Sequence, residues 1–422
     1  MKLHGRRLSR DTSNNNNVGA IIIILLIFVV VVLFHSSVVI IVGVECLVVV
    51  NKNSNNNNNN INPSFYYPNP ESSNSPTIIH IIPATQNDIY PPLILLGGIA
   101  QTKSSWDHHL TSLTKNRKVI LYECLGQGLG LEGLGGGGVE TMATKTAATM
   151  TPDDNFDNNI SNDNNDCDNY SLPGQAQRLL ETLNNMNNII FTDNDNSNND
   201  NNYVDIVGFS FGGRVAMAAA CLQQQEVQQL QQPNNNNNEG RNKIRIRKLH
   251  LTGVGCDRSD FGHLAMKSFH DIIHNDISLR SFAWSILLST YSSKYLYNLS
   301  ENKLERFIDH LCSTNNPMGL LSILEQSEIN DITDPWHVIN MADRIVNANI
   351  NSNDNSNNTI DGKICVGEFD KMAPINEVES LRKKLQWETP IDILSDCGHA
   401  AVMERPRAWR ESVISFLDDY DE

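Results

Sequence analysis

Several features are missing from this sequence, and each absence narrows what the protein can do. Charged residues make up only 19% of the 422 residues, and no basic cluster offsets the net charge of −16 in the part that reads as folded. An acidic surface repels phosphate backbones, which argues against nucleic acid as a partner. The eight cysteines include no C-x-x-C pair. Cys221 and Cys365 fall in an expected helix and an expected strand, where a thiol fills space as a small apolar group. Free buried thiols are therefore favoured over a disulfide framework. The histidines supply no ligand set: His108 and His109 are neighbours, and His263, His270 and His274 are scattered. No metal or other cofactor is expected. The glycines at 126, 128 and 130 and at 135–138 lead into no helix with a Walker lysine, so a phosphate loop is rejected.

Asparagine, by contrast, is heavily over-used, in runs at Asn55–Asn60, Asp153–Asn169, Asp193–Asn202, Asn234–Asn238 and Asn347–Asn358. Such runs cannot bury enough apolar surface to offset their ordering cost, and they read as disordered insertions between core elements. The N-terminus is equally biased. A polar start carrying Lys2, Arg6, Arg7 and Arg10 precedes Ala20–Phe34, fifteen unbroken apolar residues, and further apolar runs follow at Val38–Val44 and Cys46–Val50. This is too long for the apolar core of a cleaved leader, and no A-x-A site follows. Val18 to about Val44 is long enough to span a bilayer as one helix. With basic residues before it and only Lys52 close behind, the N-terminus is expected inside. Residues 1–50 are thus expected to be a signal-anchor, placing the rest of the chain at a membrane on its lumenal or extracellular side. Secretion or organelle import after leader cleavage is the alternative. Residues 51–76 read as an Asn-rich linker.

From Thr77 onward, strand and helix patterns alternate. Short apolar runs at Thr77–Ile82, Leu93–Leu96, Val119–Tyr122, Val204–Val207, Ile244–Leu251, Lys363–Val366 and Ile391–Leu394 read as strands. Helical patterns lie at Trp106–Leu113 (with a serine cap), Leu172–Met186, Asn376–Leu385 and Pro406–Leu417. The alternation marks an α/β protein with a mostly parallel sheet and helices on both faces. Between Leu251 and Gly362 lies far more chain than a loop needs, with helical periodicity, and it reads as an inserted helical cap over 257–345. The core would then comprise 77–256, with disordered inserts near 129–169 and 193–202, and 362–422, with an Asn-rich loop at 346–361.

The chemistry centres on Val204–Ala220. An apolar strand stops at Gly208-Phe209-Ser210-Phe211-Gly212, and a small-residue helix follows at once. This is the G-x-S-x-G nucleophile elbow, whose turn is so sharp that Cβ atoms two residues either side of the serine would crowd it. Gly208 and Gly212 remove them. A serine hydroxyl becomes a nucleophile only when a base takes its proton and a third group orients that base. His399, after the strand Ile391–Leu394, is the expected base, and Asp370, after Lys363–Val366, is its expected orienter. Glu368 is the nearest rival to Asp370, and Asp396 reads as a turn former. In an open parallel sheet, residues past the carboxyl ends of the strands converge at one edge. The oxyanion that forms needs backbone N–H donors, expected from Phe211 and from Ile99, with Gly97 and Gly98 letting that loop approach the substrate.

These landmarks resemble the α/β-hydrolase fold superfamily, in its cap-bearing serine-hydrolase branch, over about Pro92–Leu417. They are Leu95–Gly98 with Ser105-Trp106, Tyr122–Gly128, Gly208–Gly213, Gly367–Pro374, and Gly398-His399 with Glu404-Arg405-Pro406. Two departures stand out: Gly97-Gly98 replaces the family's usual His-Gly, and Glu123 replaces an aspartate after the next strand. The resemblance implies a cap inserted after the sixth strand and a Ser210–Asp370–His399 triad. It also implies a hydrolase that cleaves a carboxylic ester or related acyl bond of a small molecule through an acyl-enzyme. Ser210 at the elbow argues against the branches that use aspartate there. The same resemblance leaves open a lyase or C–C bond hydrolase, as in the menaquinone-pathway synthase, and a non-catalytic ligand receptor. The cap aromatics Trp284, Tyr291 and Trp336 are expected to set substrate shape.

Overall fold

The computed structural model describes residues 28–34, 37–43, 47–49, 64–67, 77–128, 169–191, 202–230, 243–351 and 359–419. Phe28–Phe34 (β1) and Ser37–Gly43 (β2) pair antiparallel with each other. The remaining strands are β3 (Leu47–Val49), β4 (Ser64–Tyr67), β5 (Thr77–Ile82), β6 (Leu93–Leu96), β7 (Val119–Tyr122), β8 (Tyr203–Phe209), β9 (Arg245–Thr252), β10 (Asp361–Gly367) and β11 (Asp392–Leu394). They form one nine-stranded sheet in the order β11-β10-β9-β8-β6-β7-β5-β4-β3. From β7 to β11 every neighbouring pair is parallel, whereas β3, β4 and β5 join antiparallel at one edge.

Both faces of the sheet are covered, which is why its central strands are apolar at every position rather than alternately. Ile94, Leu96, Ile120, Val204 and Ile206 point to one face, where helices Leu172–Asn185, Phe211–Leu230, Val338–Asn351 and Ile375–Lys384 pack. Leu93, Leu95, Val119, Leu121 and Val207 point to the other and meet the closing helix Pro406–Leu417. The period of two along each strand sends alternate residues to the two cores. The described cysteines Cys124, Cys221, Cys256, Cys365 and Cys397 are buried and free, and Cys312 is free and partly buried.

The cap leaves the sheet at the end of β9, the fifth strand counted from Thr77. Its helices, Asp260–Asn275, Arg280–Thr290, Ser293–Tyr297, Glu301–Thr314 and Pro317–Ser327, close around their own cluster. In that cluster Phe269 and Phe282 meet edge to face at 5.5 Å. Of the span 257–345, residues 338–345 belong to the Val338–Asn351 helix. Its Val338, Met341, Ala342 and Ile345 join the core under the sheet instead.

Three local expectations are corrected. The single spanning helix from Val18 to about Val44 is not what β1 and β2 form; residues 18–27 lie outside the described ones. Runs of valine and isoleucine are stiff at χ1 and suit extended backbone at least as well as helix. Among the described residues no helix is long and apolar enough to cross a membrane. The linker 51–76 contains β4, whose Ser-Phe-Tyr-Tyr sequence has high strand propensity, paired with β5. The expected serine cap before Trp106 is absent, because Lys103–Trp106 forms a 3-10 turn and Trp106 leads the helix. The insertions expected near 129–169 and 193–202, and the Asn234–Asn238 run, lie almost wholly outside the described residues.

Candidate active site

β8 ends at Phe209, and the chain reverses through Ser210 into the helix Phe211–Leu230. Ser210 has φ 52°, left-handed backbone that costs an L-residue about 1–2 kcal/mol. It is held there by its N–H to the Thr252 carbonyl (2.8 Å) and by Gly213 N–H to its own carbonyl (3.0 Å). A Cβ at Gly208 would stand 2.5 Å from Gly213 Cα, and one at Gly212 would strike the carbonyl oxygens of Leu96 and Gly97. Only glycine lets three backbone segments pass this close.

Asp370 follows β10 and is buried. Its Oδ1 accepts the N–H groups of Met372 (2.9 Å) and Ala373 (2.8 Å), which leaves Oδ2 facing the His399 Nδ1 at 2.8 Å. A carboxylate can only accept, so Nδ1 carries the proton and Nε2 is left as acceptor. Nε2 lies 2.9 Å from the Ser210 hydroxyl. The three residues therefore form one chain of contacts, though 160 and 29 positions separate them along the sequence. Glu368, the rival carboxylate, instead accepts the Asp396 N–H at 2.9 Å. Asp396 itself has φ 55°, as a turn former would.

Two supports escape a reading of the sequence. Gly253 has φ +64°, and a Cβ there would sit 2.9 Å from His399 Cε1. In the sequence this glycine is only a strand stop. Buried Glu404 accepts the N–H groups of Gly398 (3.0 Å) and Ser292 (2.9 Å), tying the His399 loop to the cap.

The loop after β6 is set by two glutamines. Gln127 donates to the Gly98 carbonyl at 2.7 Å, and Gln101 Oε1 accepts the Gly98 N–H at 2.9 Å. A trans peptide points its N–H opposite its carbonyl, so the Ile99 N–H is turned away from Gln127. Among the described residues neither the Ile99 nor the Phe211 N–H is engaged. Ala100 beside them has φ 63°. The Gly97-Gly98 departure thus costs no donor. Glu123 serves the structure: it accepts the Lys103 N–H at 2.6 Å, and burial raises its carboxyl above the ordinary range.

Above Ser210 lies a cavity of about 400 Å³ between sheet and cap, lined mostly by apolar groups that include Phe269, Ile286, Tyr291, Phe307 and Met403. Of the aromatics expected to shape it, only Tyr291 faces it. Trp336 stacks under Arg344 at 4.3 Å on the sheet domain, and Trp284 packs against the cap cluster. His310 from the cap reaches Ser104 at 3.1 Å at the same cavity.

Residues 93–411 match the alpha/beta hydrolase family, and the chain belongs to that family. Solved structures with the same fold include a hydrolase from Pseudomonas aeruginosa, at 16% identity and a TM-score of 0.53 over 86% of this chain and 100% of that one. A thermophilic esterase from Thermogutta terrifontis matches at 14% identity and a TM-score of 0.50, over 82% and 96% of the two chains. The enol-lactonase from Burkholderia xenovorans matches at 13% identity and a TM-score of 0.51, over 81% and 97%. A search of curated proteins returns no match.

Proposed function

We propose that the protein is a serine hydrolase of small carboxylic esters or related acyl compounds. The observation that carries this is the unbroken contact from the Ser210 hydroxyl to His399 Nε2 and from His399 Nδ1 to Asp370. His399 takes the hydroxyl proton as Ser210 attacks the carbonyl, and Asp370 holds the imidazolium that forms. The free N–H groups of Ile99 and Phe211 receive the negative oxygen. Protonated His399 then gives its proton to the leaving alcohol, and the reverse sequence with water releases the acid. A fluorophosphonate probe tests the reading: folded wild type is labelled and Ser210→Ala is not. No labelling, or equal labelling of both, would overturn it.

A membrane tether, with the catalytic domain lumenal or extracellular, is part of the same proposal and rests on the apolar runs between 18 and 50. It requires that stretch to become helical in lipid, because an open pair of strands leaves backbone groups unsatisfied there. Release of the full-length protein from membranes by alkaline carbonate would count against it.

A further inference from the structure

Ser210 lines two cavities, the smaller of which carries charged groups from the sheet domain. The larger one is the apolar chamber under the cap. On the other side of the serine lies a small recess of about 40 Å³, and Ile99, Ser210, Met266, Met372 and His399 wall both. The charged residues lining the recess are Arg214, Arg258 and Asp257. Arg214 stands one helical turn past the nucleophile, its N–H donating to the Ser210 carbonyl at 3.2 Å. Its guanidinium has no hydrogen-bond or ion-pair partner among the described residues. Arg258 follows β9, and its Nη1 is buried without a hydrogen bond. The nearest carboxylate oxygen to that nitrogen, on Glu328, is 3.8 Å away.

We infer that this recess is a carboxylate-binding subsite, in which Arg214 and Arg258 hold an anionic group at the end of a short acyl chain attached to Ser210. The inference rests on the serine-hydrolase reading and names the substrate class for it. The neighbouring acids Asp257 and Glu328 act on the two guanidiniums through their charge, but no hydrogen bond joins either acid to a guanidinium. Asp257 turns its Oδ1 to the Arg258 backbone N–H at 2.7 Å and to His263 at 3.4 Å. Glu328 is beyond hydrogen-bond reach, and buried His337 takes the Ile339 N–H at 3.3 Å. Burial and the Arg258 charge push the Arg214 guanidinium below its ordinary value, and the charges of Asp257 and Glu328 offset this only in part. A planar fork of N–H donors matches a carboxylate in both shape and charge. The recess admits a group of carboxylate size, while an apolar alcohol portion fits the larger chamber. The preferred substrate is thus a half-ester of a short dicarboxylic acid.

The test compares an aryl hydrogen glutarate with its uncharged isostere, the aryl 5-methylhexanoate. Wild type should favour the glutarate over that isostere in kcat/KM by about tenfold or more, the worth of one charge-assisted hydrogen bond. Arg214→Gln should remove that preference, Arg258→Gln should reduce it, and Arg214→Lys should keep part of it. Calorimetry with glutarate needs neither turnover nor labelling: binding should weaken by about tenfold or more in Arg214→Gln. Thermal unfolding confirms that each variant is folded. Equal use of the two esters by wild type, or equal glutarate binding by wild type and folded Arg214→Gln, overturns the subsite and leaves the hydrolase reading intact. Failure of the fluorophosphonate to label Ser210 overturns the hydrolase reading, and the glutarate titration still decides the subsite.

Discussion

Strand β8 carries two opposite kinds of polar chemistry a few residues apart. At its start Asp205, wholly buried, accepts Arg117 at 3.0 Å and Arg247 at 2.8 and 2.6 Å. Arg117 also pairs with Asp418 and lies over the Tyr90 ring at 4.7 Å. Each of these four charged groups has a partner. Past the other end of the same strand, Ser210 is in left-handed backbone, the Ile99 and Phe211 N–H groups are unengaged, and two guanidiniums face a recess. One edge is finished and the other is held open. A buried pair that is complete leaves nothing for a ligand to add, whereas open donors can be completed by water or by a ligand.

Breaking each edge should therefore move different observables. Ser210→Ala, at the open edge, should lower kcat/KM by a factor on the order of 10⁴–10⁶, as loss of a triad nucleophile does. Ser210→Gly should lose the same activity yet raise stability by up to about 1 kcal/mol, because glycine tolerates the φ that serine strains to adopt. Ester turnover and urea unfolding read the two effects separately. At the finished edge, Asp205→Ala leaves buried Arg117 and partly buried Arg247 short of a partner and should destabilise the protein by about 3–5 kcal/mol. Under conditions where that variant is still folded, its Ser210 should label at the wild-type rate. Loss of labelling without loss of stability would mean that the two edges are not independent.

The open edge is also the more legible one in the sequence. Ser210, Asp370 and His399 can be placed because each follows a short apolar run, and a parallel sheet gathers such positions at one edge. Arg214 and Arg258 carry no motif of their own, since nothing local in the sequence says that a cap will cover them. The Asp205 network is invisible for the same reason: its members come from β8, β9, the turn before β7 and the end of the last helix. Of the aromatics, Trp336 is near the cap only along the sequence, whereas Phe269 and Phe307 reach the cavity through helix packing that periodicity does not orient. Gly253 marks the end of β9 in sequence and structure alike, but its need to be glycine comes from His399, contributed by a distant loop.

Gly253 offers a smaller break at the open edge. Alanine there would have to adopt φ +64° and would press on the imidazole. The backbone cost should be about 1–2 kcal/mol in urea unfolding. The displaced imidazole should cost more in rate than in binding, with kcat reduced roughly 10- to 100-fold, as expected when a positioned group shifts by a fraction of an ångström. A variant that loses stability but keeps kcat would show that the glycine serves the β9 turn rather than His399.

The smallest effect sharpens the comparison through a second histidine. His250 lies on β9 inside the finished half of the sheet, wholly buried, with Nε2 2.9 Å from the Ser412 hydroxyl and Nδ1 unpartnered. Burial, aided by the Lys363 charge, lowers its pKa to about 3. The unfolded chain binds a proton near pH 6.5 and the folded one does not, so the stability it contributes is complete above about pH 6.5 and is lost as pH falls toward 3. His109, lowered to about 4 chiefly by burial, acts in the same direction. Wild type should lose up to about 1 kcal/mol per pH unit through His250 between pH 6.5 and 5.5. His250→Gln, which can still meet Ser412 but cannot titrate, should show a flatter urea-midpoint profile and keep only the slope due to His109 and other groups. Identical slopes in the two proteins would mean that the His250 ring takes up its proton without unfolding the sheet around it.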